Sequence, residues 1–368
     1  MQVVKFELNK DLYRLEAYLR DRYFESYNAI SWLPERLHDL IYRVGAQETD
    51  EGRERSADHI YLWEENGEIA ACILPDGENI YVSIKNGFEQ LFLSMIGFSE
   101  KNCRSLFAKA EDGAVKFWIA VSDSLAYMQE TLAELGYSKY VEKEYVNCIF
   151  PMEADFSAEL PEGFRFLYGE EYPNEENKWS ALCLGFHPDY ESPDYKADMS
   201  PYITRKNSSM YQDSFECIIL DENTAQRNDV CAYCFVYVDK RTKTALIEPV
   251  STRKKYRHKG FGTAMMHGAI QRCKKLGIEK CYVDSFGWRK NFYTTAGFSR
   301  RIALVSGIKH SAKSSWVWQA DAYKFQFIYL YLQLSPFFKA LRIAASQICI
   351  LFPCFCPYGQ ITRESFCI

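Results

Sequence analysis

Two glycines that follow a strand-like run and begin a helical pattern carry most of the chemistry that this sequence suggests. The segment reads Arg257-x-x-Gly260-x-Gly262, and an amphipathic helix is predicted over 262–276. A glycine pair lets successive backbone N–H groups converge without interference from Cβ atoms. The helix that begins there adds unsatisfied N–H groups and the positive end of its dipole. The segment therefore predicts a site for a diphosphate.

Five cationic residues within seven positions flank these glycines, in a chain whose formal net charge is −5. Arg257 and Lys259 are placed to neutralise a pyrophosphate, and the others to reach an additional ribose phosphate. A solvated basic loop is the alternative, but strand, basic loop, paired glycines and amphipathic helix in this order favour the phosphate site. The five cations are Arg253, Lys254, Lys255, Arg257 and Lys259.

Pro249 lies inside the strand predicted over 244–251, just before the basic run. Proline removes a hydrogen-bond donor from a strand, so it belongs at a sheet edge or a bulge. A bulge here would turn N–H and C=O groups of Val250, Ser251 and Thr252 away from the neighbouring strand and towards a ligand. An edge strand with a proline of no functional consequence is the alternative.

A second motif, Asn291-Phe292-Tyr293-x-x-x-Gly297-Phe298, follows the glycine segment. The two motifs together resemble the GCN5-related N-acetyltransferase (GNAT) superfamily, over residues 164–310. The resemblance implies that acetyl-CoA is the co-substrate and that 250–252 pair with its pantetheine arm. It also implies that the pyrophosphate is held by the amides around Arg257, His258, Lys259, Gly260, Phe261, Gly262 and Thr263.

The resemblance further implies transfer of an acetyl group to an amine of a small molecule or peptide, with a backbone N–H polarising the thioester carbonyl. Tyr293 matches the position of the general acid, and a phenol, whose unperturbed pKa is about 10, stays protonated at neutral pH. Packing of the short helix is the alternative role for this ring. Glu248 is the candidate base, acting through a water, or else a plain strand-edge carboxylate. Asn291 is expected to contact the pantetheine arm, or to be a polar residue at a helix end.

The length and composition suit two folded domains. The chain has 368 residues, of which 48% are hydrophobic and 25% charged, which excludes a mostly disordered, collagen-like or coiled-coil protein. Both halves are predicted to run β-α-α-β-β-β-α-β-α-β, which suggests an internal duplication. We therefore expect an α/β protein with mixed sheets: a GNAT-like domain over 1–150, a linker over 151–163, a catalytic GNAT domain over 164–310 and an apolar extension over 311–368.

The first half lacks the glycine motif. Where it should lie, the sequence is Lys85-Asn86-Gly87-Phe88-Glu89-Gln90, with one glycine and no cluster of cations. The first half is therefore expected to be a degenerate, structural copy. A non-catalytic pair of GNAT folds that binds CoA, or acts only through interactions, is the rival function.

Other functional classes find little support. The acidic charge balance argues against a nucleic-acid partner. The six histidines and the pair Cys231 and Cys234 lack metal-ligand spacing, so no metal is expected. Without a signal-peptide core, the 13 cysteines are predicted to be mostly small buried hydrophobes in a cytoplasmic protein. Uncharged runs in the extension are too short to span a bilayer, so we expect no membrane contact there. A homodimer is compatible with the sequence.

Overall fold

Turn chemistry and burial set the elements of the first half. Asn66 and Gly67 have positive φ angles of 53° and 82° and join two strands in the predicted hairpin.

The computed structural model describes residues 1–310 except 26–31, 44–55, 78, 108–114, 154–158, 193–194, 225–228 and 287–289, and the backbone alone at 56, 140–147, 286, 290–291 and 300–310. The first-half elements are β1 (Gln2–Lys5), α1 (Leu8–Glu25), α2 (Pro34–Tyr42), β2 (Tyr61–Glu65), β3 (Glu68–Asp76), β4 (Asn79–Ile84), α3 (Leu91–Asn102), β5 (Lys116–Ser122), α4 (Ala126–Glu134) and β6 (Ser138–Phe150).

The second half repeats this order of helices and strands, which confirms the predicted pattern. The helix that follows Gly260 buries Met265, Met266, Ala269 and Ile270, as the amphipathic pattern predicts. Leu276 lies past the end of this helix and is exposed. The elements are β7 (Phe164–Tyr168), α5 (Glu175–Phe186), α6 (Ser200–Arg205), β8 (Glu216–Asp221), β9 (Val230–Asp239), β10 (Thr244–Thr252), α7 (Phe261–Lys275), β11 (Lys280–Phe286), α8 (Lys290–Thr295) and β12 (Ser299–His310).

One helix is shorter than its sequence pattern suggests. We expect helical structure over 195–208, but α6 covers only Ser200–Arg205. Asp198 accepts hydrogen bonds from the backbone N–H and the hydroxyl of Ser200, and Pro201 follows in the first turn. A side-chain acceptor and a proline at this point are typical of a helix start, so the helix begins later than the polar helical stretch predicted from the sequence.

The strands form one mixed sheet in which the halves exchange their last strands. The order is β1-β2-β3-β4-β5-β12-β6-β11-β10-β9-β8-β7. Thus β12 of the second half pairs with β5 of the first, and β6 of the first half pairs with β11 of the second. The two halves therefore share hydrogen bonds across the middle of the sheet.

The hydrophobic core also crosses between the halves. The largest cluster is built on β8, β9, β10 and α7, and it includes Tyr23 and Leu33 from the first half. The described cysteines are free thiols and all but Cys183 are buried, which confirms the prediction of small buried hydrophobes for them. Among the described residues, no helix is both long and apolar enough to cross a membrane. The predicted extension over 311–368 lies outside the described residues.

Candidate functional site

The strand β10 separates from its parallel neighbour half-way along its length. Thr244, Ala245 and Leu246 pair with β11, and the described pairing between these two strands ends there. Against β9, the register steps from Ile247 to Val250 while the partner advances by only two residues. This one-residue bulge holds Glu248 and Pro249, and it confirms the bulge predicted from the proline.

The antiparallel ladder decides which backbone groups face the gap between β10 and β11. The N–H of Arg253 donates to the carbonyl of Cys231 at 2.9 Å, and Val250, Ser251 and Thr252 follow the same register against β9. Hydrogen-bonded residues alternate along such a ladder, so Ser251 faces β9. The N–H groups of Val250 and Thr252 therefore point into the gap.

The glycine turn presents further backbone amides at the start of α7. Gly260 has a φ of 80° in the left-handed region, which glycine adopts without steric cost. The first helical hydrogen bond runs from Ala264 N–H to the Gly260 carbonyl at 3.0 Å. The N–H groups of Phe261, Gly262 and Thr263 precede this bond, as at any helix start. They form the positively polarised end that the sequence predicts.

Gly262 brings three sequence motifs together. A Cβ on this residue would lie 2.9 Å from Cζ of Phe292 and 3.6 Å from Oγ1 of Thr252. The turn, the end of β10 and helix α8 therefore meet at one place. The Thr252 hydroxyl is buried there and has no hydrogen-bond partner among the described residues. Buried hydroxyl groups are usually hydrogen-bonded, and a polar group of a ligand would supply such a bond here.

The basic run divides into buried arginines and exposed lysines. Lys254, Lys255, His258 and Lys259 are exposed. Arg253 is buried, donating to the Val230 carbonyl at 3.1 Å and to the Glu191 carboxylate at 2.7 Å. The five cations of the sequence are thus not one solvated cluster.

Arg257 also contacts the protein itself. Its Nε donates to the Thr252 carbonyl at 3.1 Å and its Nη2 to the Gly185 carbonyl at 2.7 Å. The side chain joins the end of β10 to the end of α5. These contacts support a role for Arg257 in positioning the site. A direct contact between Arg257 and phosphate stays a prediction.

Ser251 contributes its side chain to the packing of α5. Its hydroxyl lies 3.3 Å and 3.1 Å from the carbonyl oxygens of Ala181 and Leu182, to which it donates. A Cβ on Gly185 would lie only 1.7 Å from this hydroxyl oxygen. The helix end can approach β10 this closely only because Gly185 has no side chain.

Glu248 lies at the bulge within a group of charged side chains from both halves. Its carboxylate accepts a hydrogen bond from Arg36 of α2, and it is 28% exposed. Arg36 also lies 3.3 Å from the Asp284 carboxylate and 3.4 Å from the Asp76 carboxylate. Arg43 pairs with Asp76 as well.

The charges in this group shift the acidity of its carboxyls. Burial raises the pKa of Glu248 to about 7, against the opposing effect of Arg36. Burial likewise raises the pKa of Asp284. The pKa of Asp76 is lowered, because Arg43 and Arg36 together outweigh the effect of its burial. Glu248 can therefore take up or release a proton near neutral pH.

A comparison of families identifies the second half. Residues 179–298 match the sequence model of the acetyltransferase (GNAT) family. This segment is therefore similar to the GNAT family. A search of curated protein sequences finds no significant match. The likeness to the GNAT family therefore rests on the matched segment and on the fold.

Solved structures extend the likeness to both halves. A GCN5-related N-acetyltransferase from Sphaerobacter thermophilus is 13% identical, with a TM-score of 0.53 over 84% of this chain and 95% of that one. A tandem GNAT protein from the clavulanic acid biosynthesis pathway is 12% identical, with a TM-score of 0.53 over 85% and 99%. An acetyltransferase of the GNAT family from Colwellia psychrerythraea is 11% identical, with a TM-score of 0.50 over 84% and 99%. The chain therefore has the fold of a tandem GNAT protein.

In the matched segment, Tyr293 is a buried residue of α8. It is 5% exposed, and its ring centroid lies 5.1 Å from that of Phe292 and 5.9 Å from that of Phe298. These contacts are those of a packing aromatic, and its role as an acid stays a prediction. Asn291 lies in the same helix, and its side chain is outside the described residues.

The first half carries a different arrangement where the second half has its glycine turn. The parallel pairing of β4 with β5 is also short, running from Asn79 to Tyr81. Gly87 has a φ of 88°, but its N–H donates to the Glu89 carboxylate at 3.0 Å. Backbone N–H groups of Glu89 and Gly87 lower the pKa of that carboxyl. A carboxylate thus binds the amides that precede α3.

Sequence reasoning predicts the backbone features of the site but not the charged side chains that surround Glu248. Arg36, Asp76 and Asp284 carry no motif, and Gly185 lies in no glycine pattern. Among the described residues, no group of three or more metal-ligating side chains could hold a metal ion.

Proposed function

We propose that this protein is an acetyl-CoA-dependent N-acetyltransferase that acetylates an amine of a small molecule or peptide. One observation carries the proposal. Among the described residues, β10 does not pair with β11 beyond Leu246, and this edge ends beside the glycine turn of α7. Amides for an extended amide chain and for a diphosphate therefore lie in series. CoA has that sequence of groups.

The residues of the site fit such a ligand. The amides of Phe261, Gly262 and Thr263 would bind the pyrophosphate, with Lys259 and His258 exposed beside them. The N–H groups of Val250 and Thr252 would pair with the pantetheine arm, and Asn291 is a further candidate contact. When bound, acetyl-CoA supplies the activated thioester.

Glu248 is the proposed base of the reaction. An amine acceptor arrives largely as an ammonium ion and must lose a proton before it can attack. The carboxylate is 28% exposed at the mouth of the gap, and its pKa of about 7 makes it an effective acceptor near neutral pH. We propose that it takes this proton through a water molecule, while the Val250 N–H polarises the thioester carbonyl.

Tyr293 is the proposed general acid. The departing thiolate needs a proton, and a phenol of ordinary pKa remains protonated at neutral pH. The match of its motif to the GNAT pattern supports this role. Its packing between Phe292 and Phe298 would fix the ring in one orientation.

Calorimetry with CoA tests the proposed binding site. Gly262→Leu should abolish saturable CoA binding, because its side chain would meet Phe292 and Thr252 and displace the turn. Gly277→Ala is the matched control, since Gly277 also has a positive φ, of 74°, but lies beyond the other end of α7. This control should lose stability and keep its affinity for CoA. Full affinity in Gly262→Leu would contradict the proposed site.

A CoA-binding module without transferase activity is a second candidate. The burial of Tyr293 favours it, because little of a side chain that is 5% exposed is accessible to a leaving group. Release of free thiol from acetyl-CoA across a panel of amines separates the two functions. Binding of CoA without thiol release for any amine would favour the module.

A further inference from the structure

Arg36 belongs to the first half but contacts carboxylates of the second. It lies in α2, which packs on β9 and β10. Its three nitrogens reach three different carboxylates: Nη1 contacts Glu248, Nε contacts Asp284 and Nη2 contacts Asp76. The side chain thus joins β3 of the first half to the two strands that separate in the second.

The relative burial of these groups indicates which of them faces the gap. The Arg36 side chain is 6% exposed, and its guanidinium also lies 6.0 Å from the ring of Trp32. The Glu248 side chain is 28% exposed. The guanidinium therefore lies behind the carboxylate, which keeps its open side for solvent or substrate.

We infer that Arg36 is a positioning residue for acetyl transfer: it fixes the Glu248 carboxylate at the mouth of the gap, so the first half completes the active site of the second. The inference rests on the proposed function, in which Glu248 is the base. The planar guanidinium suits this role, because its fixed donors hold several carboxylates in one geometry.

Electrostatics gives Arg36 a measurable effect on Glu248. Loss of hydration, Asp39 and Asp284 all favour the protonated carboxyl, and Arg36 is the strongest opposing charge. Removal of Arg36 should therefore raise the pKa of Glu248 above about 7 and leave the base protonated at neutral pH. Among the described residues, the other charged or titratable groups around this pair are Arg43 directly after α2, Asp76 on β3, Arg205 on α6 and Tyr237 on β9.

A purely structural salt bridge predicts something different. If Arg36 only joined the halves, its loss would lower the stability of the fold and leave the pH dependence of the active protein unchanged. A positioning residue that also sets the charge of the base must move that pH dependence. The pH profile therefore separates the two roles.

The test is the pH profile of kcat/KM for the full chain, with acetyl-CoA and an amine that the wild type acetylates. The wild-type rate should rise with pH through about 7. In Arg36→Gln this rise should move up by about one pH unit or more, with a loss of rate of roughly fivefold or more at neutral pH. Arg36→Lys keeps the charge but not the planar set of donors, so the rise should return towards its wild-type pH while the maximal rate stays below that of the wild type.

Two further variants complete the experiment. Arg43→Gln is the matched control, because Arg43 directly follows the same helix and shares Asp76 but has a smaller effect on Glu248. It should shift the profile less. Asp284→Asn removes a neighbouring negative charge and should move the rise to lower pH. This opposite shift can be measured even if Arg36→Gln does not fold.

The outcomes distinguish the inference from the function on which it rests. An active Arg36→Gln with an unshifted profile, or an unshifted Asp284→Asn, would overturn the inference alone. A wild type that binds CoA but acetylates no amine would overturn the proposed transferase. In that case the ¹³C carboxyl resonance of Glu248, assigned with Glu248→Gln, still reports the charge effect of Arg36.

Discussion

The backbone N–H of Gly87 donates to the carboxylate of Glu89 at 3.0 Å, at the position where the second half has the glycine turn that precedes α7. A bound carboxylate repels a phosphate and occupies its donors. The first half therefore carries its own anion at the position that corresponds to the glycine turn. This contact gives a physical reason why only one half should bind CoA.

The stoichiometry of CoA binding tests this reading of the first half. We expect one CoA per chain by calorimetry, because the amides at Gly87 are already bonded to Glu89. Glu89→Gln removes the negative charge at this position. It does not supply the basic residues that the first half lacks, so the stoichiometry should stay at one. Two equivalent sites in the wild type would show that the first half is not degenerate.

Gly185→Ala should disturb the site through the packing of α5. The new Cβ would lie 1.7 Å from the Ser251 hydroxyl oxygen and 3.2 Å from the Thr252 backbone nitrogen. Overpacking of this kind costs about 1–3 kcal/mol, and it would displace the carbonyl that Arg257 binds. We expect a lower free energy of unfolding and weaker CoA binding.

The matched control for this substitution is Gly97→Ala. Gly97 lies in α3 and has no atom within 4 Å of its Cβ position, so alanine there should keep or raise stability. Chemical denaturation measures both variants. Equal stability of Gly185→Ala and wild type would show that α5 does not pack on β10 this closely.

Tyr293→Phe should separate chemistry from binding. The ring keeps its contacts with Phe292 and Phe298, so the fold and the CoA affinity should not change. Loss of a general acid should lower kcat by about a hundredfold. Steady-state kinetics and calorimetry measure the two effects, with the exposed Tyr13→Phe as control. Wild-type turnover in Tyr293→Phe would remove this residue from the mechanism.

Glu35 makes the stability of the fold depend on pH. It is fully buried and accepts a hydrogen bond from Thr244, and burial raises its pKa from 4.5 to about 8. The folded state thus favours the neutral acid, so its stabilising effect is present below pH 4.5 and is lost as pH rises towards 8. Glu35→Gln keeps a neutral group at every pH.

The unfolding temperature of Glu35→Gln should therefore exceed that of the wild type by about 2 °C or more above pH 8. The difference should disappear near pH 4.5. Scanning calorimetry at the two pH values measures it. A constant difference at both values would mean that Glu35 does not titrate between them.

The parts of the site that local chemistry dictates could be predicted from the sequence. Pro249 cannot donate to a ladder, and the predicted bulge is found at that residue. Gly260 and Gly262 begin α7 as their pattern indicates. These features depend on a few neighbouring residues, so sequence carries them directly.

The parts that depend on long-range pairing could not be predicted. Arg36 and Glu248 are 212 positions apart, and each reads as an ordinary charged residue within its own element. The exchange of β6 and β12 could not be predicted from either strand, because the alternation of apolar residues does not specify which strand it pairs with. Likewise, Arg253 and Arg257 belong to a basic run, and only the fold shows that they bind carbonyl groups.

Backbone amide resonances give the most direct test of the CoA site. In ¹H–¹⁵N spectra of the full chain titrated with CoA, the amides of Val250, Thr252, Gly262 and Thr263 should shift together and saturate. Those of Gly87 and Glu89 should not move. Saturable CoA binding that leaves the β10 and α7 amides unchanged would contradict the account.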